Sequence, residues 1–258
     1  MICFQGAMRL LVSVIFFGAS YAFACEAPKD APYPPLAVEG GVIVFSSIAV
    51  LEDEGKPNPE MGLGVSFLDC STGITKFISR LPYVADPGEV RDVFTENVVS
   101  GENELFVIHS APIRAFTGVS YGSDYFSVMV FHKTEGGFTL DKKLTDYFGS
   151  GADVLSPDDN DDKPIYTYPF KTRDAVVSQL ASKNYRGWAS GNLPDLNVSK
   201  KTSIYSLKSM ATDTNMYLVK GDKVKQEAVS AGWVSILYTT AKKKEIRGWV
   251  LCENVDGC

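Results

Sequence analysis

The chain has 258 residues and a formal net charge of −6, and this acidic balance argues against nucleic acid as a partner. It contains two histidines and five cysteines and no Cys-x-x-Cys spacing, so we expect no metal site, no thiol redox chemistry and no cofactor. Its length is sufficient for one large or two modest domains.

Residues 1–24 predict an export signal. Arg9 is followed by an uncharged apolar run that ends in Ala-Phe-Ala at Ala24, the small-x-small pattern that signal peptidase cleaves. The run has 15 residues, fewer than the ~20 that a membrane-spanning helix needs. We therefore expect a periplasmic or secreted protein without a membrane span. A lipid-modified Cys25 is the alternative, although Phe23 is unusual in a lipoprotein signal.

The four cysteines that remain after cleavage suggest two disulfides in an oxidising compartment. From their number alone, three connectivities are possible. Cys252 and Cys258 flank a turn-rich segment and are expected to close a small loop. Cys25 then pairs with Cys70 and holds the mature N-terminus against the first sheet.

Residues 25–198 predict an α+β domain with a mostly antiparallel sheet. Two hairpins are indicated, one that turns at 71–73 with Gly73 at positive φ and one that turns at 134–137. One helix is predicted after Thr172 as N-cap, because Val176, Val177, Leu180 and Ala181 form an apolar stripe. The expected strands lie at 41–51, 63–70, 74–81, 105–109, 125–133 and 137–144.

Three places in this part suggest chemistry, and each has a simpler interpretation. His109 stands beside Ser110, but strand neighbours face opposite sides of a sheet and no Gly-x-Ser-x-Gly elbow is present. Asp124 and Asp146 stand near tyrosines, and surface turns explain them better than a glycosidase pair. Residues 156–164 open like a calcium loop but lack its glycine and closing glutamate. No catalytic or metal-binding residue is assigned.

The loop at 111–126 is a candidate interaction surface. It is long, aromatic and glycine-bearing, and loops on rigid scaffolds often build binding surfaces. Arg114 and Tyr121 are its candidate partner contacts, with an ordinary packed loop as the alternative.

A linker is predicted at 189–199, with Gly191 and Pro194 as helix- and strand-breaking residues. Charge changes here too. Residues 199–258 hold ten Lys/Arg and six Asp/Glu, about +4, whereas residues 25–198 hold 14 and 25, about −11. The lysines of the last part either bind a partner or only keep its surface soluble.

Residues 199–258 predict a small all-β domain, since short strands and turns alternate along it. Gly232 and Gly248 each precede a tryptophan, which predicts a bend or the close approach of another backbone. The expected strands lie at 203–207, 216–219, 223–228, 233–239 and 245–251.

This last part, over about residues 200–256, resembles the bacterial Src-homology-three-like domain family of cell-envelope proteins. The resemblance rests on Tyr205, Tyr217-Leu218-x-Lys220-Gly221-Asp222-x-Val224, Gly232-Trp233-Val234-x-Ile236-x-Tyr238 and Gly248-Trp249-Val250. It implies a β-barrel that contacts cell-wall peptides or protein surfaces through exposed aromatic side chains. The candidates are Trp233, which follows a turn and is expected half exposed, Tyr217 and Tyr238; packing inside the barrel is the alternative. Trp249 is expected in the core or seam. Two features depart from the family pattern: Leu207 stands where a turn proline is frequent, and the tail contains Cys252 and Cys258. The family pattern therefore does not define the identity of the ligand.

The sequence thus predicts a non-catalytic exported cell-envelope protein whose C-terminal barrel contacts a peptidoglycan peptide or a protein partner. The second hypothesis is a periplasmic immunity or inhibitor protein, whose acidic domain suits a basic secreted toxin or cell-wall hydrolase. A third is an enzyme with unfamiliar machinery in residues 25–198.

Overall fold

The computed structural model describes residues 25, 30–51, 57–99, 101, 103–113, 119–156 and 163–258, with the backbone alone at 57–59. The predicted export signal, Arg114 and the acidic residues 158–162 lie outside the described residues. In the part of the chain that is described, no helix is long and apolar enough to cross a membrane.

The described chain consists mainly of antiparallel sheets, as the sequence predicts for its larger part, and has three short helices where one was predicted. The helices are α1 (Lys142–Phe148), α2 (Arg173–Leu180) and α3 (Lys183–Ala189). The strands are β1 (Leu36–Val38), β2 (Gly41–Leu51), β3 (Pro57–Asp69), β4 (Thr75–Arg80), β5 (Glu89–Asn97), β6 (Asn103–Ala111), β7 (Tyr125–Thr134), β8 (Gly137–Leu140), β9 (Ser150–Gly151), β10 (Val154–Leu155), β11 (Pro164–Tyr166), β12 (Asp195–Val198), β13 (Thr202–Tyr205), β14 (Asp213–Leu218), β15 (Lys223–Ser230), β16 (Trp233–Thr239), β17 (Glu245–Leu251) and β18 (Val255–Asp256).

The first sheet has the order β1-β2-β3-β4. Asp69 ends β3, and its carboxylate accepts the backbone N–H of Ser71 at 2.8 Å, which starts the turn into β4. Gly73 has a φ of 70° in this turn, as predicted. The structure forms the predicted disulfide between Cys25 and Cys70, with Cα atoms 5.4 Å apart, so Cys25 is held at this hairpin.

The second sheet has the order β5-β6-β7-β8, with β9 beside β7, and is buried on both faces along β6. Leu105 and Val107 pack with the first sheet. Phe106 and Ile108 point the opposite way and pack with the helices. Side chains on both faces of β6 are buried, so residues 105–108 are all apolar instead of alternating between apolar and polar.

The third sheet contains seven strands in the order β14-β13-β17-β16-β15-β12-β18. All five strands predicted in residues 199–258 are present. The predicted linker at 189–199 is corrected, because its residues 195–198 form β12 and pair with both β15 and β18. All residues from β12 to β18 are described, and the strands of this segment form an open sheet with β14 and β18 at its two edges. The predicted closed barrel is therefore not confirmed.

The third sheet has a buried cluster of its own and shares a second one with the helices and the second sheet. Trp233 and Tyr205 belong to the same buried cluster as Phe106, Phe148 and Val176. The backbone N–H of Ala231 also donates to the carbonyl of Tyr147 in α1 at 2.9 Å. The predicted division at residue 198 remains a prediction, but the two parts bury apolar surface against each other.

The helices complete this shared core. Thr172 caps α2 as predicted, since its hydroxyl accepts the Ala175 N–H at 3.3 Å. The predicted strand at 137–144 is too long, since β8 ends at Leu140 and residues 142–144 belong to α1. Neither α1 nor α3 was predicted; they begin after Asp141 and Ser182 as N-caps.

Candidate functional site

A cleft of about 480 Å³ lies where the third sheet meets the second sheet and α1. This volume falls in the range of about 300–1,000 Å³ typical of small-molecule sites. Residues from several distant segments line it, among them Tyr121, Tyr125, Tyr166, Lys208, Ser230 and Trp233. It is larger than the cleft of about 380 Å³ that Tyr185 and Trp188 line beside α3.

Trp233 forms the buried floor of the cleft. Its ring lies 5.3 Å from the ring of Tyr166 and 5.2 Å from that of Tyr205. Its indole N–H hydrogen-bonds the Tyr166 hydroxyl, which itself donates to the carbonyl of Ala231 at 2.6 Å. Burial raises the pKa of Tyr166, which therefore stays a neutral donor.

The half exposure expected for Trp233 is wrong, because only 2% of the residue is exposed. Tyr166, from outside the third sheet, covers the ring. Trp249 is half-buried against the shared core, as expected for a core or seam position.

Glycines before the two tryptophans allow this packing. Gly232 has a φ of 79°, and a Cβ there would lie 2.9 Å from Pro169 Cγ. A Cβ at Gly248 would lie 2.8 Å from the carbonyl oxygen of Tyr205 on the neighbouring strand. The predicted close approach of another backbone is confirmed at Gly248.

Tyr121 and Tyr125 line another part of the cleft. Tyr121 forms an isolated antiparallel bridge with Val154, which holds the end of its loop against β10. Burial, and to a lesser extent the neighbouring Tyr121, raises the pKa of Tyr125. The predicted contact Tyr121 therefore lies in the same cleft as Trp233.

Lys208 supplies the positive charge of the cleft. It follows β13, and its Nζ donates to Ser230 Oγ at 2.7 Å. Its ammonium also lies 5.5 Å from the ring centroid of Trp249, a cation–π distance. Burial lowers the pKa of Lys208, and the negative charge of Asp146 opposes this shift only in part.

A serine and a lysine in contact can act as nucleophile and base, but this pair is arranged differently. Ser230 donates its only hydroxyl proton to the carbonyl of Asp146 at 2.5 Å, and that oxygen can only accept. Lys208 in turn donates to Ser230. The contact therefore ties the loop after β13 to α1 and leaves Ser230 without a base.

The other predicted binding residues lie elsewhere. Tyr217 is 58% exposed on β14, with Lys201 Nζ 4.4 Å from its ring centroid. Tyr238 packs on the core of the third sheet, and its hydroxyl donates to Asp222 Oδ1 at 3.3 Å. Neither of them lines the cleft, and Arg114 is outside the described residues.

The sequence analysis missed Lys208, Tyr125 and Tyr166. Tyr166 had a usable signal, because Tyr166, Tyr168 and Phe170 alternate as side chains on one face of a strand do. Lys208 had none, since a lysine between two strands is ordinarily solvated.

Of the residues considered for catalysis, Ser110 and Asp124 are in contact, since the Ser110 hydroxyl donates to Asp124 Oδ2 at 3.3 Å, whereas His109 and Asp146 have other partners. His109 is buried with its Nε2 2.9 Å from the Pro87 carbonyl, and burial lowers its pKa. Ser110 Oγ accepts from Arg91 Nε at 2.7 Å instead. Asp124 pairs with Arg91 and Asp146 with Lys142, each at 2.6 Å. Within the described ranges, no group of three or more His, Cys, Asp or Glu could hold a metal ion.

Comparison with known proteins gives no assignment, since no family model and no curated protein matches the chain.

Proposed function

We propose that the protein is a non-catalytic binding protein of the bacterial cell envelope that holds a cell-wall peptide in the cleft between its third sheet and α1. The observation that carries this proposal is the cleft itself, with aromatic walls, one lysine and a volume suited to a short peptide. Aromatic side chains and a few placed polar groups are the usual lining of a binding site.

Two further features support an exported protein. Disulfides join Cys25 to Cys70 and Cys252 to Cys258, and disulfides persist mainly in oxidising compartments such as the periplasm. The pattern of residues 1–24 is that of an export signal.

The resemblance to the Src-homology-three-like family supports a wall ligand. The strands that carry the family motifs are β13 to β17, and they pair with one another in one sheet. In this proposal the ligand binds on the side of the third sheet that faces the cleft, where Tyr121 and Trp233 lie, and not on the side of β14 that exposes Tyr217.

The second candidate is an inhibitor or immunity protein. The charge difference between the two parts favours it, because residues 25–198 carry about −11 and would attract a basic toxin or hydrolase. In that case the acidic part, rather than the cleft, would make the main contact.

Sedimentation with insoluble cell-wall sacculi tests the proposal. The mature chain should co-sediment, and Tyr121→Ala should weaken binding about tenfold, because an aromatic contact is worth about 1 kcal/mol or more. Tyr217→Ala is the matched control and should bind like the wild type. Absence of retention, together with capture of one stoichiometric protein from periplasmic extract, would establish the inhibitor instead.

A further inference from the structure

We propose that Lys208 recognises a free carboxylate of the ligand, so that the cleft selects peptides with an unblocked carboxyl group. This inference rests on the proposed function, since it names the chemical group that the cleft binds.

The described lining of the cleft holds one basic and one acidic side chain, Lys208 and Asp146. Lys208 is the only basic residue among the described residues that line it. Its hydrogen-bond partner, the Ser230 hydroxyl, is neutral. Asp146 also lines the cleft, but its carboxylate pairs with Lys142 at 2.6 Å, and no ion pair joins Lys208 to any carboxylate of the described residues.

Lys208 is exposed as a whole residue and keeps part of its hydration, but the water that its ammonium has lost is not replaced by an ion pair. The lowered pKa of Lys208 reports the same imbalance, since the effect of burial exceeds that of Asp146. An anionic ligand group placed against Nζ removes this cost. Two of the three ammonium protons remain for it after the bond to Ser230.

A carboxylate fits this arrangement better than a phosphate does. Phosphates are usually held by several cations, by the planar fork of arginine or by helix N-termini. The described lining of the cleft offers one lysine, which matches a group of unit charge. The partly exposed rings of Tyr121 and Tyr125 then accommodate the apolar part of the same peptide above the buried Trp233.

The test compares two preparations of the same sacculi. In one, the peptide carboxylates are left free; in the other, they are converted to methylamides with carbodiimide and methylamine. The wild type should bind the free form about tenfold more tightly, as expected for a charge-assisted hydrogen bond. The net charge of −6 opposes this preference, and a lysine control in the same positive part of the chain measures general charge attraction.

Lys208→Met keeps the length of the side chain and should bind both preparations at the weaker level, whereas Lys208→Arg should keep the preference. Lys201→Met is the matched control, because Lys201 also stacks on an aromatic ring but lies outside the cleft. It should behave like the wild type. Thermal unfolding of each variant verifies that the fold is intact.

The outcomes separate the two proposals. Equal binding of the wild type to both preparations, or an unchanged preference in Lys208→Met, overturns carboxylate recognition and leaves wall binding in place. Loss of binding to the methylamide form in Lys208→Met also overturns carboxylate recognition, because the lysine would then stabilise the structure of the cleft instead of binding the carboxylate. Failure of the wild type to bind either preparation refutes the proposed function itself.

Discussion

Replacement of Trp233 by alanine should destabilise the whole chain rather than the third sheet alone. The residue is 2% exposed and packs between Tyr166 and Tyr205. A tryptophan side chain buries about 150–250 Å², which at about 25 cal/mol per Å² corresponds to roughly 4–6 kcal/mol. Measured losses for such truncations are about 3–5 kcal/mol, and we expect Trp233→Ala to fall in that range.

The assay is urea unfolding combined with hydrogen exchange of peptides from β6 and from β16. These strands lie in the second and third sheets and flank one core, so their opening free energies should fall together by the same amount. Tyr217→Ala is the control, because this residue is 58% exposed and should change stability by less than about 0.5 kcal/mol. Loss of protection in β16 with β6 unchanged would show that the two parts unfold separately and that the shared core does not couple them.

Two other predictions concern the disulfides and pH. Cys25–Cys70 closes a loop with a sequence separation of 45, and Cys252–Cys258 one with a separation of 6. Because a longer loop restricts the unfolded chain more, replacing the first pair by serine should lower the free energy of unfolding by about 4 kcal/mol and replacing the second by about 2 kcal/mol. Equal losses in urea unfolding would contradict this. Burial holds the pKa of His109 below its usual value, so below about pH 6.5 the unfolded chain binds a proton that the folded chain excludes, and stability falls as the pH drops. His109→Gln should lose less stability than the wild type between about pH 7.5 and 5.5, and an unchanged pH dependence in the variant would refute that assignment.

Local patterns in the sequence were sufficient to predict most of the strands. The turn at Gly73, the helix after Thr172 and the five strands of residues 199–258 all follow from residue preferences within a few positions. β12 was missed because it has four residues next to Gly191 and Pro194, which indicate a linker. Its partners β15 and β18 are distant in sequence, so nothing local reveals the pairing.

The cleft could be predicted only in part for the same reason. Tyr121 and Trp233 were selected as exposed aromatic contacts, but their common location depends on how the third sheet packs on the second. Trp233 is buried because Tyr166 covers its ring. Lys208 is a candidate for ligand binding because, among the described residues, no carboxylate forms an ion pair with it. Such properties belong to the packed molecule rather than to any segment.

The place of β12 in the third sheet has a practical consequence for anyone dividing this protein into pieces. A fragment cut at residue 199 would lose the strand that separates β15 from β18 and would leave both with unpaired backbone edges. It would also expose Trp233, Tyr205 and Leu251 to water as an apolar patch. Such a fragment should self-associate through that patch, and its apparent stickiness toward other molecules would say little about the intact chain.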